Sequence, residues 1–144
     1  MESKEPLHFK NSKEKKEIKV ELKILVVSGS KIMRNILINS VKKAGYSNVK
    51  ETKNGKDALS WLMTGDFNFL ITDWDMPLMN GIELTKAIRS DERLKNLPIL
   101  MVASKYKNKD ILKAKNVGVN EYIATKFDAS KIKDKIPEIL REFS

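Results

Sequence analysis

Two carboxylates, Asp73 and Asp75, follow an apolar run from Phe67 to Ile71. The run reads as a short buried strand. Met76-Pro77 ends any strand there, because proline has no N–H to give to a ladder, and Gly81 then opens a helical pattern. In an open α/β sheet, ligands and chemistry sit at the carboxyl ends of the strands. Asp73 therefore has the type and the place of a functional acid. With Asp75 it gathers negative charge at one strand end, which costs energy unless a cation sits there or both groups are solvated. Asp73 could equally be a turn residue or a helix-cap partner, and the stretch alone leaves both readings open.

An acid at a strand end needs a sheet to hold it. Lys23 to Val27 is a continuous apolar strand, the pattern of a parallel sheet covered by helices on both faces. Ser28-Gly29-Ser30 is the turn after it. Lys31 to Ala44 is a helix with Ile32, Met33, Ile36, Leu37, Val41 and Ala44 at near-helical spacing, ended by Gly45. Asn48 to Thr52 is the second strand. Asn54 caps the next helix, with Asp57 in its first turn, and Ala58, Leu59, Trp61 and Leu62 along it. Gly65 stops it, and the strand ending at Asp73 follows. A third helix, Gly81 to Ser90, carries Ile82, Leu84, Ala87 and Ile88. After a polar link, Ile99 to Ala103 is the fourth strand. Lys107 to Val117 is a lysine-rich helix ended by Gly118, and Glu121 to Ala124 is the fifth strand. Asp128 caps a last helix containing Ile132, Ile136, Ile139 and Leu140. Pro137 lies inside it, where it removes a backbone bond and crowds the carbonyl of Lys133, so a kink or break is expected near Ile136. Strands alternating with helices mean βαβ units, right-handed crossovers and a parallel sheet.

The length, 144 residues, suits one domain with a sizeable core. Residues 1–20 alternate Lys and Glu with few apolar groups and read as a charged extension that cannot bury enough surface to fold alone. Residues 21–144 form the domain. The absence of cysteine excludes disulfides, zinc–thiolate sites and thiol catalysis. No apolar run approaches the ~20 residues of a membrane span, and the N-terminus does not read as a secretory signal. A soluble cytoplasmic protein is expected. The net charge of +9 is spread along the chain, mostly as lysine. It favours acidic partners in general, but no helix carries a cluster of base-reading residues, so no specific nucleic acid is expected.

The order of elements and the run Asp73-x-x-Met76-Pro77-x-x-x-Gly81 together resemble the receiver domains of two-component response regulators. The resemblance extends from about Leu22 to Leu140. It rests also on Leu22-Lys23-Ile24-Leu25-Val26-Val27, Leu97-Pro98-Ile99-Leu100-Met101-Val102 and Glu121-Tyr122-Ile123. The chain looks most similar to single-domain chemotaxis receivers of the CheY type. That implies a flavodoxin-like, doubly wound, five-stranded parallel sheet of order 2-1-3-4-5.

The resemblance implies that Asp73 occupies the phosphoacceptor position. It also implies Mg²⁺, held in the family by an acidic pair after the first strand, by the nucleophile, and by a backbone carbonyl two residues beyond it. Here the pair reads Ser28 and Gly29, and Asp75 stands at the carbonyl position. Asp73 and Asp75 are left as a weak metal site or none. The family hydroxyl at the end of the fourth strand reads Ala103, and the family lysine at the end of the fifth reads Thr125, with Ser104 and Lys126 one residue on. A trans peptide is expected between Thr125 and Lys126, since cis without proline costs ~2.5–4 kcal/mol. Tyr122 matches the aromatic residue that reports activation, and losing its hydroxyl partner at position 103 should cut that coupling. The partner face implied by helix four, strand five and helix five would present Tyr106, Lys107, Ile111, Lys115, Tyr122, Lys126 and Lys131.

These residues together suggest a signalling module and not an enzyme. It would be an atypical receiver that binds a sensor kinase or an output protein, with Asp73 phosphorylated poorly or not at all. The alternative is a working response regulator, phosphorylated on Asp73 by a histidine kinase in chemotaxis-like signalling. A third reading is a basic scaffold that reuses the fold.

Overall fold

Three of the five strands are apolar on both faces because both faces are covered. In a computed structural model of the chain, which describes residues 21–124 and 130–143, the strands are β1 (Ile24–Val27), β2 (Val49–Thr52), β3 (Phe69–Thr72), β4 (Ile99–Ala103) and β5 (Glu121–Ala124). The helices are α1 (Lys31–Lys43), α2 (Gly55–Thr64), α3 (Gly81–Ser90), α4 (Asn108–Val117) and α5 (Ser130–Leu140), with a short 3₁₀ turn at Arg141–Phe143. The sheet is parallel throughout, in the order β2-β1-β3-β4-β5. Every residue of β1, β3 and β4 is buried.

Alternation along the strands divides the core into two layers. Leu25, Val27, Leu70, Ile99 and Met101 point to the side of α2, α3 and α4, where they meet Ala58, Leu62, Leu84, Ile88 and Ala114. Ile24, Val26, Phe69, Ile71, Leu100 and Val102 point to the other side and meet Leu37 and Val41 of α1 and Ile132, Ile136 and Ile139 of α5. Each such Val, Leu, Ile, Phe or Met side chain contributes roughly 1.5–3 kcal/mol by leaving water.

Helix ends follow local chemistry. Ser30 Oγ accepts from the Met33 N–H at 3.1 Å, and Asn54 Oδ1 accepts from the Asp57 N–H at 2.7 Å. Asn80 and Glu83 form a reciprocal capping box on α3. Gly45 and Gly118 take φ of 103° and 114° just after α1 and α4, the left-handed geometry a helix-ending glycine permits. Beneath Gly118 lies Arg89, near the end of α3. Its guanidinium donates to the carbonyls of Gly118, Lys95 and Leu97 and to Asn120 Oδ1, at 2.7 to 3.1 Å. One side chain thus ties α3 to the loops that lead into β4 and β5.

Four expectations need correction. Ile32 and Ile36 do not face the core; they are 75% and 42% exposed, while Arg34 and Ser40 are buried. The apolar spacing of α1 marks a wider stripe than is buried: Leu37 and Val41 meet the core, while Ile32 and Ile36 lie on the outward side. Trp61 is likewise 45% exposed. The third strand starts at Phe69, not Phe67, because the Asn68 N–H is already donated to Lys23 carbonyl outside the ladder. Finally, α5 runs unbroken through Pro137. Proline there removes one bond near the helix end, and the burial of Ile132, Ile136 and Ile139 against the sheet outweighs it. The extension at residues 1–20, the Asp128 cap and the Thr125–Lys126 peptide lie outside the described residues.

Candidate functional site at the carboxyl end of the sheet

Register brings the site together. Val27 pairs with Thr52 on one side and Thr72 on the other, so the three strands end level. Their next residues, Ser28, Lys53 and Asp73, therefore share one rim. Backbone bonds continue the ladder by one step: Asp73 N–H to Val27 O at 2.9 Å, and Ser28 N–H to Thr52 O at 3.2 Å.

Asp73 is partly buried. Its Oδ1 accepts from the Trp74 N–H at 2.7 Å, and its Oδ2 from the Ser28 hydroxyl at 3.2 Å. Burial is the main influence on its pKa and pushes it above the ordinary carboxylate value; the two bonds oppose this, and the nearby Asp75 adds to it. Asp75 itself is exposed, while Ser28 is fully buried. Ser28 is fixed from behind by Arg34, whose Nη1 donates to the Ser28 carbonyl at 2.8 Å while its Nε donates to Glu51 at 2.8 Å.

The raised pKa of Asp73 has a sign that can be checked. The folded state holds the proton more tightly than the unfolded chain, so the buried charge destabilises the fold above the folded pKa. That cost disappears as pH falls through the folded pKa towards 3.8. Asp73→Asn is therefore expected to be more stable than the parent at neutral pH, and the gap should narrow on acidification. Urea unfolding at several pH values measures it; a gap that widens towards low pH would contradict the assignment.

The turn from β3 into α3 is tightly built. Gly81 donates its N–H to the Trp74 carbonyl at 2.7 Å, and Gly55 donates to the Met79 carbonyl at 3.1 Å. Between them Met79 N–H donates back to Pro77 O at 2.7 Å, with Leu78 at φ 69°. This is a γ-turn of the strained, positive-φ kind. Leu78 is 77% exposed and has little packing to repay the strain. Leu78→Asn is expected to stabilise the protein by about 1 kcal/mol, since asparagine tolerates left-handed φ. Thermal melting checks it, with Leu78→Val, whose β-branch worsens the strain, moving the midpoint the other way.

Trp74 turns inward and is only 6% exposed. Its ring meets the edge of Tyr122 at 6.4 Å, and Lys105 Nζ lies 5.4 Å from its centroid. The Tyr122 hydroxyl donates to the Lys105 carbonyl at 2.6 Å. Its pKa is pushed up to about 12, by burial first and then by Asp110, Asp73 and Asp75. Ala103 is buried and paired with Ala124, so the tyrosine is held by backbone where the resemblance implied a side-chain hydroxyl. Ser104 is exposed.

Gly29 lies in the same rim and is exposed; a Cβ there would meet Pro77 Cδ at 3.2 Å. Of the expected partner face, Tyr106, Lys107, Lys115 and Lys131 are exposed, and Ile111 and Tyr122 are half-buried. Lys107 is the N-cap of α4, and Lys115 pairs with Glu121 at 3.5 Å. Thr125 and Lys126 lie outside the described residues. Sequence reasoning missed Arg34 and Lys105. The signal for Arg34 was its place in the first turn of α1, directly after the Ser28 turn. Lys105 had none, since its backbone and not its charge meets Tyr122.

Known proteins are similar in sequence and in fold. The family described as response regulator receiver domain matches residues 24–137. The chemotaxis protein CheY of Pseudomonas aeruginosa is 45% identical over 118 residues, covering 82% of this chain and 95% of that protein. CheY-3 of Vibrio cholerae is 44% identical, covering 82% and 91%. The structure of the chemotaxis response regulator CheY4 of Vibrio cholerae superposes with a TM-score of 0.75 at 27% identity, covering 82% of this chain and 98% of that one. On sequence and on fold alike, this chain belongs to the response regulator receiver domain family, as a CheY-like receiver of two-component signalling.

Proposed function

We propose that this receiver acts by binding partner proteins and not by catalysis, with Asp73 phosphorylated poorly or not at all. The observation that supports this most is the surroundings of Asp73. Phosphoryl transfer to a carboxylate needs a cation to neutralise the transferring oxygens. Mg²⁺ wants near-octahedral oxygen ligands. Around Asp73 stand a neutral serine hydroxyl, backbone amides and a glycine, with Asp75 turned to solvent. Among the described residues no group of three acidic or histidine side chains is placed to hold a metal. Asp73 with an exposed Asp75 is a poor oxygen set for Mg²⁺, which would be held weakly or not at all.

Binding would use the face of α4, β5 and α5, where lysines and Tyr106 suit an acidic or amphipathic segment of a sensor kinase or output protein. No helix among the described residues is long and apolar enough to cross a membrane. A second reading, a working phosphoacceptor, is favoured by the 45% identity to the Pseudomonas chemotaxis protein.

Trp74 emission separates the two. In a Trp61→Phe background, Mg²⁺ is titrated and beryllofluoride then added. The atypical receiver is expected to give no saturation in the low millimolar range and no further change. Saturation followed by a beryllofluoride-dependent change would establish the phosphoacceptor instead.

A further inference from the structure

Beside β2, on the rim but away from Asp73, α1, α2 and the sheet edge leave an open cleft of about 320 Å³. That is the small end of ligand pockets, ~300–1,000 Å³. Its lining is Arg34 from α1, Glu51, Thr52 and Lys53 from the end of β2, and Asp57 and Trp61 from α2.

The state of each residue limits what can enter. Arg34 and Glu51 neutralise each other at 2.8 Å, and Arg34 is further engaged by the Ser28 carbonyl. Lys53 and Asp57, both exposed, remain as one cation and one anion. Asn54 Nδ2 holds Asp57 Oδ2 at 3.1 Å, which fixes the carboxylate at the start of α2. Trp61 is four residues further on and shares its face. The indole is 45% exposed, with its ring tilted against Phe67 at 6.1 Å. The Thr52 hydroxyl is buried without a hydrogen-bond partner among the described residues. An acceptor entering the cleft is what this donor lacks.

A simple anion here would meet the repulsion of Asp57 and Glu51, and a simple cation that of Lys53 and Arg34. A zwitterion matches both free charges. Its ammonium would lie between the Asp57 carboxylate and the indole face, where cation–π attraction adds to the ion pair. Its carboxylate would turn towards Lys53 and Thr52. We propose that this cleft binds a free α-amino acid with an apolar or aromatic side chain lying along Trp61. The site is independent of how Asp73 is used. It is nevertheless joined to that residue, because Ser28 bonds to Arg34, to the Thr52 carbonyl and to Asp73.

The test is a titration of the isotope-labelled full chain with L-phenylalanine and L-leucine, followed by amide and indole resonances. Phenethylamine and 3-phenylpropionate serve as arms that lack one charge each. Expected are saturable shifts of the Trp61 indole N–H and the Ser28 amide with at least one amino acid, and none with either arm. Asp57→Asn and Lys53→Met, both at exposed positions, should each weaken binding about tenfold, the loss of one charge-assisted contact. No saturable shift with either amino acid overturns the proposal. So do equal shifts from all four probes, or unchanged affinity in both variants.

Discussion

Arg89→Ala is expected to lower unfolding free energy by about 3 kcal/mol. The alanine leaves the carbonyls of Gly118 and Leu97 without their donor and Asn120 Oδ1 with only the Ile99 N–H, and hydrogen bonds to a charged group are worth ~1.5–3 kcal/mol each. Water can reach part of the site and replace some of them, which keeps the loss well below the sum. Burial lowers the arginine pKa, but a guanidinium keeps its charge in proteins, so the effect should not depend on pH between 5 and 8. Arg89→Lys should recover little, because one ammonium cannot span four acceptors. Arg93→Ala, an exposed arginine 3.8 Å from Asp91, is the control and should change stability by less than about 0.5 kcal/mol. Urea unfolding of the three variants measures this. A loss under 1 kcal/mol for Arg89→Ala would mean that packing, and not the guanidinium, holds the loops before β4 and β5.

Gly81→Ala is expected to cost about 3 kcal/mol, at the upper end of what overpacking does. A Cβ at that position would stand 2.2 Å from the Asp73 carbonyl oxygen and 2.9 Å from Met101 Cε. The methionine can move aside. The carbonyl cannot move freely, because the Thr72 hydroxyl donates to it at 2.9 Å and the strand before it is fully buried. Alanine's better helix propensity recovers less than 1 kcal/mol of this. The same change at Gly29 meets only Pro77 Cδ at 3.2 Å and the Lys53 carbonyl at 3.7 Å, and should cost far less. Because the strain falls on the residue before Trp74, the emission spectrum of Trp74 should shift in Gly81→Ala and stay fixed in Gly29→Ala. Equal stability of the two variants would show that the turn after β3 is not the rigid clamp its contacts imply.

Much of the architecture was legible because burial on two faces leaves a plain mark. Runs such as Ile24–Val27 and Ile99–Ala103 are too short and too apolar to be anything but covered strands. Asn54, Gly45 and Gly118 announced helix ends through backbone chemistry that acts locally. What stayed hidden depends on tertiary position. Arg34 reads as a surface lysine's cousin until the Ser28 turn folds over it. Ile32 reads as core until the fold leaves it 75% exposed. The strain at Leu78 was hinted at by Pro77 before it, since proline sets up turns whose next residue often needs positive φ. The site was half legible: Asp73 stood out by its place, whereas the Thr52 and Trp61 cleft, although residues 51–61 supply most of its lining, shows itself only once Arg34 of α1 is folded against the end of β2.

The two core layers share strands but no side chains. Neighbours on one strand, such as Leu25 and Val26, face opposite layers and meet different helices. Substitutions in separate layers should therefore combine additively, while those within a layer should interact. In evolutionary terms the sheet acts as a partition against epistasis. The layer of α1 and α5 can drift without forcing compensating changes in that of α2 to α4. One fold of this kind can thus absorb core changes in one layer while the other layer stays as it is.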